Sequence, residues 1–245
     1  MYKITVVTVC FNCEHTIKKT MESVLRQTYS DIEYILIDGA STDNTLSVIK
    51  SFKDDRIKYI SEKDNGIYHA MNKAIKMATG EYIIFMNSGD CFANKDVLRK
   101  VFTFPVKDIM YGNSIRVFKE KKICERYRES RVWRILYLAY GRMVCHQSLI
   151  ARTELLKKHP FDLNYKICAD REFLAWATKL DLECLYLDYP VSMVDNTEGL
   201  SSDIKNKNTI RKETDRIIRT YYFPVFVMLY PCKFLMRCIE KRNAK

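Results

Sequence analysis

Acidic and amide side chains gather in three short polar stretches of the N-terminal half: Asp38-Gly39-Ala40-Ser41-Thr42-Asp43, Glu62-Lys63-Asp64-Asn65-Gly66 and Asn87-Ser88-Gly89-Asp90. Carboxylates in such stretches can accept hydrogen bonds from a base or a ribose, or ligate a divalent cation. Each stretch alone is equally ordinary turn chemistry, because Asp, Asn and Gly are turn residues. Cys10 and Cys13 form a C-x-x-C. With no second pair and no thioredoxin-like helix context, they read as small apolar residues at a strand end rather than as a zinc or redox site. The four histidines, His15, His69, His146 and His159, are isolated in the sequence, and isolated histidines are more often structural hydrogen-bonders than ligands.

The elements around these residues decide whether they meet. Residues 3–10 form a β-branched run that predicts a buried strand, and Asn12 can cap a helix running to about residue 28. Residues 33–37, 57–60 and 82–86 read as further strands. Residues 45–52 and 67–78 read as amphipathic helices, the second ended by Gly80. Strands alternating with helices imply an α/β protein with a Rossmann-like, mostly parallel sheet flanked by helices. In such a sheet ligands bind beyond the carboxyl ends of the strands, and all three polar stretches follow strand ends. Gly66 allows close backbone approach, and the start of the next helix offers free N–H groups to a diphosphate. After about residue 104 the pattern changes to a mixed extension. Strands are predicted at 109–111, 114–118 and 182–187, and helices at 132–140 and 171–179. We expect lobes at 1–104 and 105–215 and a tail at 216–245.

The order and spacing of the motifs carry a resemblance. T-V-V-T-V-C-F-N at 5–12, I-D-G-A-S-T-D-N-T at 37–45, E-K-D-N-G-I-Y-H-A-M-N-K-A at 62–74 and A-T-G-E-Y-I-I-F-M-N-S-G-D at 78–90 resemble the nucleotide-binding half of glycosyltransferase family 2, whose fold is GT-A. C-H-Q-S-L at 145–149, Y-K-I-C-A-D at 165–170 and E-G-L-S-S at 198–202 resemble the bacterial subgroup that assembles surface polysaccharides. The resemblance spans roughly residues 1 to 205. It implies inverting transfer of a sugar from a nucleotide sugar, UDP-linked by expectation, to a hydroxyl of a lipid-linked glycan. It implies that Asn12, Asp38, Asp64, Gly66, Asn72, Ser88 and Asp90 face the nucleotide sugar, and that His146 and Gln147 face the acceptor or the diphosphate. Asp90 would ligate Mn²⁺ or Mg²⁺. The family places D-x-D or a D-D pair there, whereas this chain reads Ser-Gly-Asp, which weakens the cation site. Asp170, in A-D-R-E, is the implied catalytic base, with Glu172 as the fallback and helix capping as the plain structural alternative.

The net charge of +11 is uneven: residues 204–245 hold eleven Lys or Arg against three Asp or Glu. The apolar, aromatic run 221–236 within that basic tail is too short and too broken by Pro224, Pro231 and Lys233 for a membrane span, and reads as an interfacial segment on phospholipid. A C-terminal helix packed on the body is the alternative. No signal peptide opens the chain, so the expected location is cytoplasmic, peripheral on the inner face of the membrane. The sequence leaves two rivals. A glycosyltransferase-like binding protein without activity is allowed by Ser88. A nucleic-acid-binding α/β protein is suggested by the charge but opposed by the acidic sheet edge, so no nucleic-acid partner is expected.

Overall fold

The computed structural model describes residues 1–127, 130, 135, 144–180, 182–196, 204–225 and 227. The N-terminal half runs β1 (Ile4–Cys10), α1 (Ile17–Leu25), β2 (Ile32–Asp38), α2 (Thr45–Ser51), β3 (Ile57–Ser61), α3 (Ile67–Met77) and β4 (Tyr82–Phe85). It continues through β5 (Cys91–Phe92), α4 (Val97–Val101), β6 (Ile109–Val117) and β7 (Lys122–Glu125). The second half has a 3₁₀ turn (His146–Ser148), β8 (Leu149–Arg152), α5 (Thr153–Lys158), α6 (Ala169–Lys179), β9 (Cys184–Asp195) and α7 (Lys207–Tyr221).

Among the described residues, nine strands form one sheet in the order β3-β2-β1-β4-β8-β6-β9-β5, with β7 paired to β6. The first four strands are mutually parallel, and β8 is antiparallel to both β4 and β6. Period-two alternation fills both faces. Tyr34 and Leu36 pack on the α1, α2 and α4 side, while Ile35 and Ile37 pack on the side of α3, α5, α6 and α7. The antiparallel β8 positions the site: its chain enters at the edge where β4 ends, so the 3₁₀ turn 146–148 meets residues 87–90.

Several expectations are corrected. Asn12 does not cap α1, which starts four residues after Cys13. Asn12 instead adopts φ 47°, a left-handed conformation that Asn tolerates, and its Oδ1 accepts the Thr42 N–H at 2.8 Å. Gly80 is not a left-handed helix stop. A Cβ there would sit 2.6 Å from the Thr5 nitrogen, so it is a point of close approach to β1. The two strands expected at 109–111 and 114–118 are one strand with irregular register at Gly112–Ser114. The strand expected at 182–187 extends to Asp195. The helix expected at 132–140, residue 135 apart, and the motif at 198–202 lie outside the described residues, as does the tail beyond residue 227.

Candidate active site

The strand ends and the second half enclose one cleft of about 1250 Å³. Its wall includes Phe11, Asn12 and Cys13 after β1, Asn87 to Asp90 after β4, His146 and Gln147 before β8, and Asp170 at the start of α6. The site thus joins residues from both halves of the chain.

Asp170 occupies the second position of α6, after the capping residue Cys168, so it is not itself the cap. Its side chain is 15% exposed and well bonded. Oδ2 lies 2.8 Å from His146 Nδ1, and Oδ1 accepts the Tyr68 hydroxyl at 2.9 Å. Burial pushes the Asp170 pKa up. The His146 hydrogen bond and charge, the Arg171 charge and the Tyr68 hydroxyl outweigh it and hold the carboxyl below its usual value. His146 Nε2 faces Asn87 Nδ2 at 2.9 Å. Glu172, two positions on, points elsewhere. It is buried, and it accepts the Tyr221 hydroxyl and bonds His159 at 3.0 Å. A 100° rotation per helical residue puts positions two apart on different faces, and Glu172 does not line the cleft.

Asp90 is 5% exposed, and both of its oxygens are engaged. Gln147 Nε2 donates to Oδ2 at 2.6 Å, and the Asp195 N–H donates to Oδ1 at 2.9 Å. Burial, partly offset by these two donors, raises its pKa to about 6. Ser88 bonds the Thr16 hydroxyl at 3.0 Å. Among the described residues no group of three His, Cys, Asp or Glu side chains could hold a metal ion. One buried, doubly engaged carboxylate does not fit a cation site built by the protein alone.

The other expected nucleotide contacts divide. Asp38 is fully buried, and its oxygens accept from Ser41 and, at 2.6 Å, from the Ser61 hydroxyl. It organises its turn and does not line the cleft. Asn72 clamps the Phe161 backbone in both directions, at 2.8 and 3.0 Å, and is likewise off the cleft. Asp64 has a side chain 9% exposed, with Oδ1 paired to Lys73 at 2.6 Å and His69 at 3.1 Å. Its Oδ2 is buried without a partner. Gly39 lies between that oxygen and the Phe11 ring: a Cβ there would be 3.6 Å from Oδ2 and 3.4 Å from Phe11 Cδ2. Gly66, with φ 106°, starts α3, and neither it nor Asp64 lines the cleft. Phe11 is 61% exposed at the cleft, an apolar face without a packing role that the sequence did not single out. Tyr68 was missed too, because a buried tyrosine beside Ile67 reads as core.

Comparison with known proteins gives the family and the fold. The chain is 28% identical over 221 residues to a PGL/p-HBAD biosynthesis glycosyltransferase of Mycobacterium tuberculosis, covering 86% of this chain and 83% of that one. Over 117 residues it is 38% identical to the UDP-Glc:alpha-D-GlcNAc-diphosphoundecaprenol beta-1,3-glucosyltransferase WfgD of Escherichia coli, 46% of each chain. S. aureus TarS 1-349, solved with UDP-GlcNAc, superposes with a TM-score of 0.68 at 20% identity, over 90% of this chain and 67% of that one. The mannosyltransferase PcManGT of Pyrobaculum calidifontis, solved with GDP-Man and Mn²⁺, gives 0.61 at 14% identity over 100% and 81%. At such identities the structures speak to the fold alone, and the fold is that of these nucleotide-sugar enzymes. The sequence model of Glycosyl transferase family 2 matches residues 5–155, which takes in every strand-end group described above except Asp170 and the elements behind it, and the chain belongs to that family.

Proposed function

We propose that this glycosyltransferase moves a sugar, with inversion, from a UDP-sugar to a hydroxyl of a lipid-linked glycan in surface polysaccharide synthesis. The observation that carries the reading is the shared cleft. It sets the Asp170–His146 pair within one space with Phe11, Asn12 and the Ser88–Asp90 turn. Phe11 offers a ring for a base to stack on, and Asp64 Oδ2, behind Gly39, offers an acceptor for a base N–H. Asp170 takes the proton of the acceptor hydroxyl as that oxygen attacks the anomeric carbon. His146 and Tyr68 fix the direction of its lone pairs. The name of the E. coli relative, with its UDP-Glc donor and diphosphoundecaprenol-linked acceptor, supports a UDP donor and a lipid-linked acceptor.

A divalent cation at Asp90 would draw most of its coordination from the donor diphosphate. Transfer measured with EDTA and then with added Mn²⁺ or Mg²⁺ tests that part. The donor is tested by calorimetry with UDP, GDP and dTDP, and by the Asp64→Asn variant. UDP should bind tightest, and Asp64→Asn should weaken it about tenfold, the worth of one hydrogen bond to a charged group. Equal binding of all three nucleotides, or none, sinks the donor assignment.

A further inference from the structure

The cationic side chains of the cleft are unevenly placed. Among the described residues Arg116, Arg126, Lys166 and Arg171 line it, and all lie later in the chain than Asp90. The lining residues from Val9 to Asp90 include no Lys or Arg. Arg116 is already paired: its Nε lies 2.7 Å from Glu125, and a terminal N–H donates to Asn196 at 2.9 Å. Lys166 and Arg171 differ. Lys166 is on the loop that leads into α6 and Arg171 is in its first turn, so they flank Asp170 along the chain.

Lys166 is exposed, and among the described residues its ammonium group has no carboxylate partner. Arg171 is half-buried, yet among the described residues no carboxylate pairs with its guanidinium. It donates to Thr214, and its Nε is buried without an acceptor. The oxygens of Asp170 go instead to His146, to Tyr68 and to the Arg171 backbone N–H. A half-buried cation without a counterion is costly, and a guanidinium with so few of its five donors committed has capacity for an anion from outside the chain. Its planar fork matches a phosphate. Two consecutive residues of α7 set this wall. Glu213 holds the backbone of residues 166–168, and Thr214 holds the Arg171 side chain.

We propose that Lys166 and Arg171 form a subsite for a diphosphate carried by the acceptor, the group that joins the acceptor glycan to its lipid. This subsite rests on the reading of Asp170 as the base and of the acceptor as lipid-linked. The acceptor hydroxyl must come to Asp170, so the groups that flank Asp170 meet the acceptor. The donor meets the base only through its anomeric carbon. Inversion puts the departing diphosphate on the far side of that carbon from the attacking oxygen, so the anion beside the base is the acceptor's own. Because Arg171 follows Asp170 directly, that anion lies close to the attacked hydroxyl. The sugar attacked is then the one that carries the diphosphate, or its next neighbour, and not the tip of a long glycan.

The test titrates the full chain with decyl diphosphate by calorimetry, with UDP saturating and no divalent cation present. Decyl diphosphate carries the anion and a lipid-like chain without the sugar, so the identity of the glycan does not enter. It should bind beside UDP, and decanol should bind at least about tenfold more weakly. Lys166→Ala and Arg171→Ala should each weaken decyl diphosphate about tenfold, the worth of one charge-assisted hydrogen bond, and leave UDP affinity within about twofold of wild type. Lys166→Glu should weaken it further, and because Lys166 is exposed this variant reads the subsite even if Arg171→Ala fails to fold. Dihexanoyl phosphatidylglycerol, a soluble headgroup phosphate, should not compete. Displacement of decyl diphosphate by UDP would give these cations to the donor, and equal competition by phosphatidylglycerol would give them to bilayer headgroups; either overturns the assignment. So does an absence of binding, or binding that both Lys166 variants leave unchanged. If UDP itself does not bind, the donor reading fails, and the same titration without UDP still decides the acceptor subsite.

Discussion

At the scale of single residues, the distinction that matters is between carboxylates that line the cleft and those turned away from it. Asp170 lines the cleft, whereas Glu172 is spent on His159 and Tyr221. Asp170→Asn should therefore cut turnover by about 10²–10⁴ while UDP affinity and melting temperature stay near wild type. Glu172→Gln should do the reverse, lowering the melting temperature with little change in turnover per folded molecule. Retained activity in Asp170→Asn would remove it from the mechanism. Asp90 has a pH signature. Its folded pKa, about 6, is raised by burial above the ordinary carboxylate value. Its contribution to stability is then fully present below the unfolded pKa and is lost as pH rises through about 6, by up to ~3 kcal/mol. Asp90→Asn removes that slope, so the mutant's melting temperature should gain on wild type between about pH 4 and pH 7. A gap independent of pH would contradict a buried, charged Asp90. The sequence marked Asp90, Asp170 and His146 by motif. It could not separate them from Asp38 and Asn72, because a strand-end carboxylate or a helix amide looks alike whether it faces a ligand or a serine or backbone partner.

At the scale of elements, periodicity made the parallel half legible. β1, β2, β3, α3 and β4 stand within a few residues of where pattern puts them. The mixed half was less legible because its pieces are short and its partners distant: β5 has two residues and pairs with β9 a hundred positions later. Nor does any local pattern disclose how α6 is held. Glu213 of α7 accepts the N–H groups of Lys166, Ile167 and Cys168, at 2.8, 3.1 and 2.9 Å, just before the helix that carries Asp170. The half-buried Arg171 donates to Thr214 on the same helix. Helix α7 thus acts as a brace for the base. Glu213→Ala leaves three backbone donors without their acceptor and should cost about 2–3 kcal/mol of stability. Turnover should fall more than UDP affinity, because the loop reaches Asp170 and not Phe11 or Asp64. Parallel losses in both would show that the brace serves the whole cleft.

At the scale of the whole molecule, the excess positive charge has a definite place. Lys212, Arg216 and Arg219 are exposed on α7 at helical spacing, and just past the end of that helix Phe223 and Val227 are 58% and 52% exposed. A basic stripe that passes into apolar side chains suits an anionic lipid surface, where cations meet headgroups and aromatics enter the interface. No helix of the described residues is long and apolar enough to cross a membrane. Because α7 also braces Asp170, lipid contact and catalysis would share one element. The full chain should therefore float with vesicles rich in acidic phospholipid and not with purely zwitterionic ones, and added salt should weaken the binding as it screens the stripe. The pair Lys212→Ala and Arg219→Ala avoids Arg216, whose guanidinium lies over the Tyr165 ring at 4.7 Å and packs the helix. Each removed cation should cost about 1 kcal/mol of membrane affinity, so the double variant should bind acidic vesicles roughly thirtyfold more weakly. Its transfer to a soluble acceptor should stay at the wild-type rate. Binding that ignores both lipid charge and these two residues would assign the stripe to packing or solubility and leave the acceptor to be captured by the cleft alone.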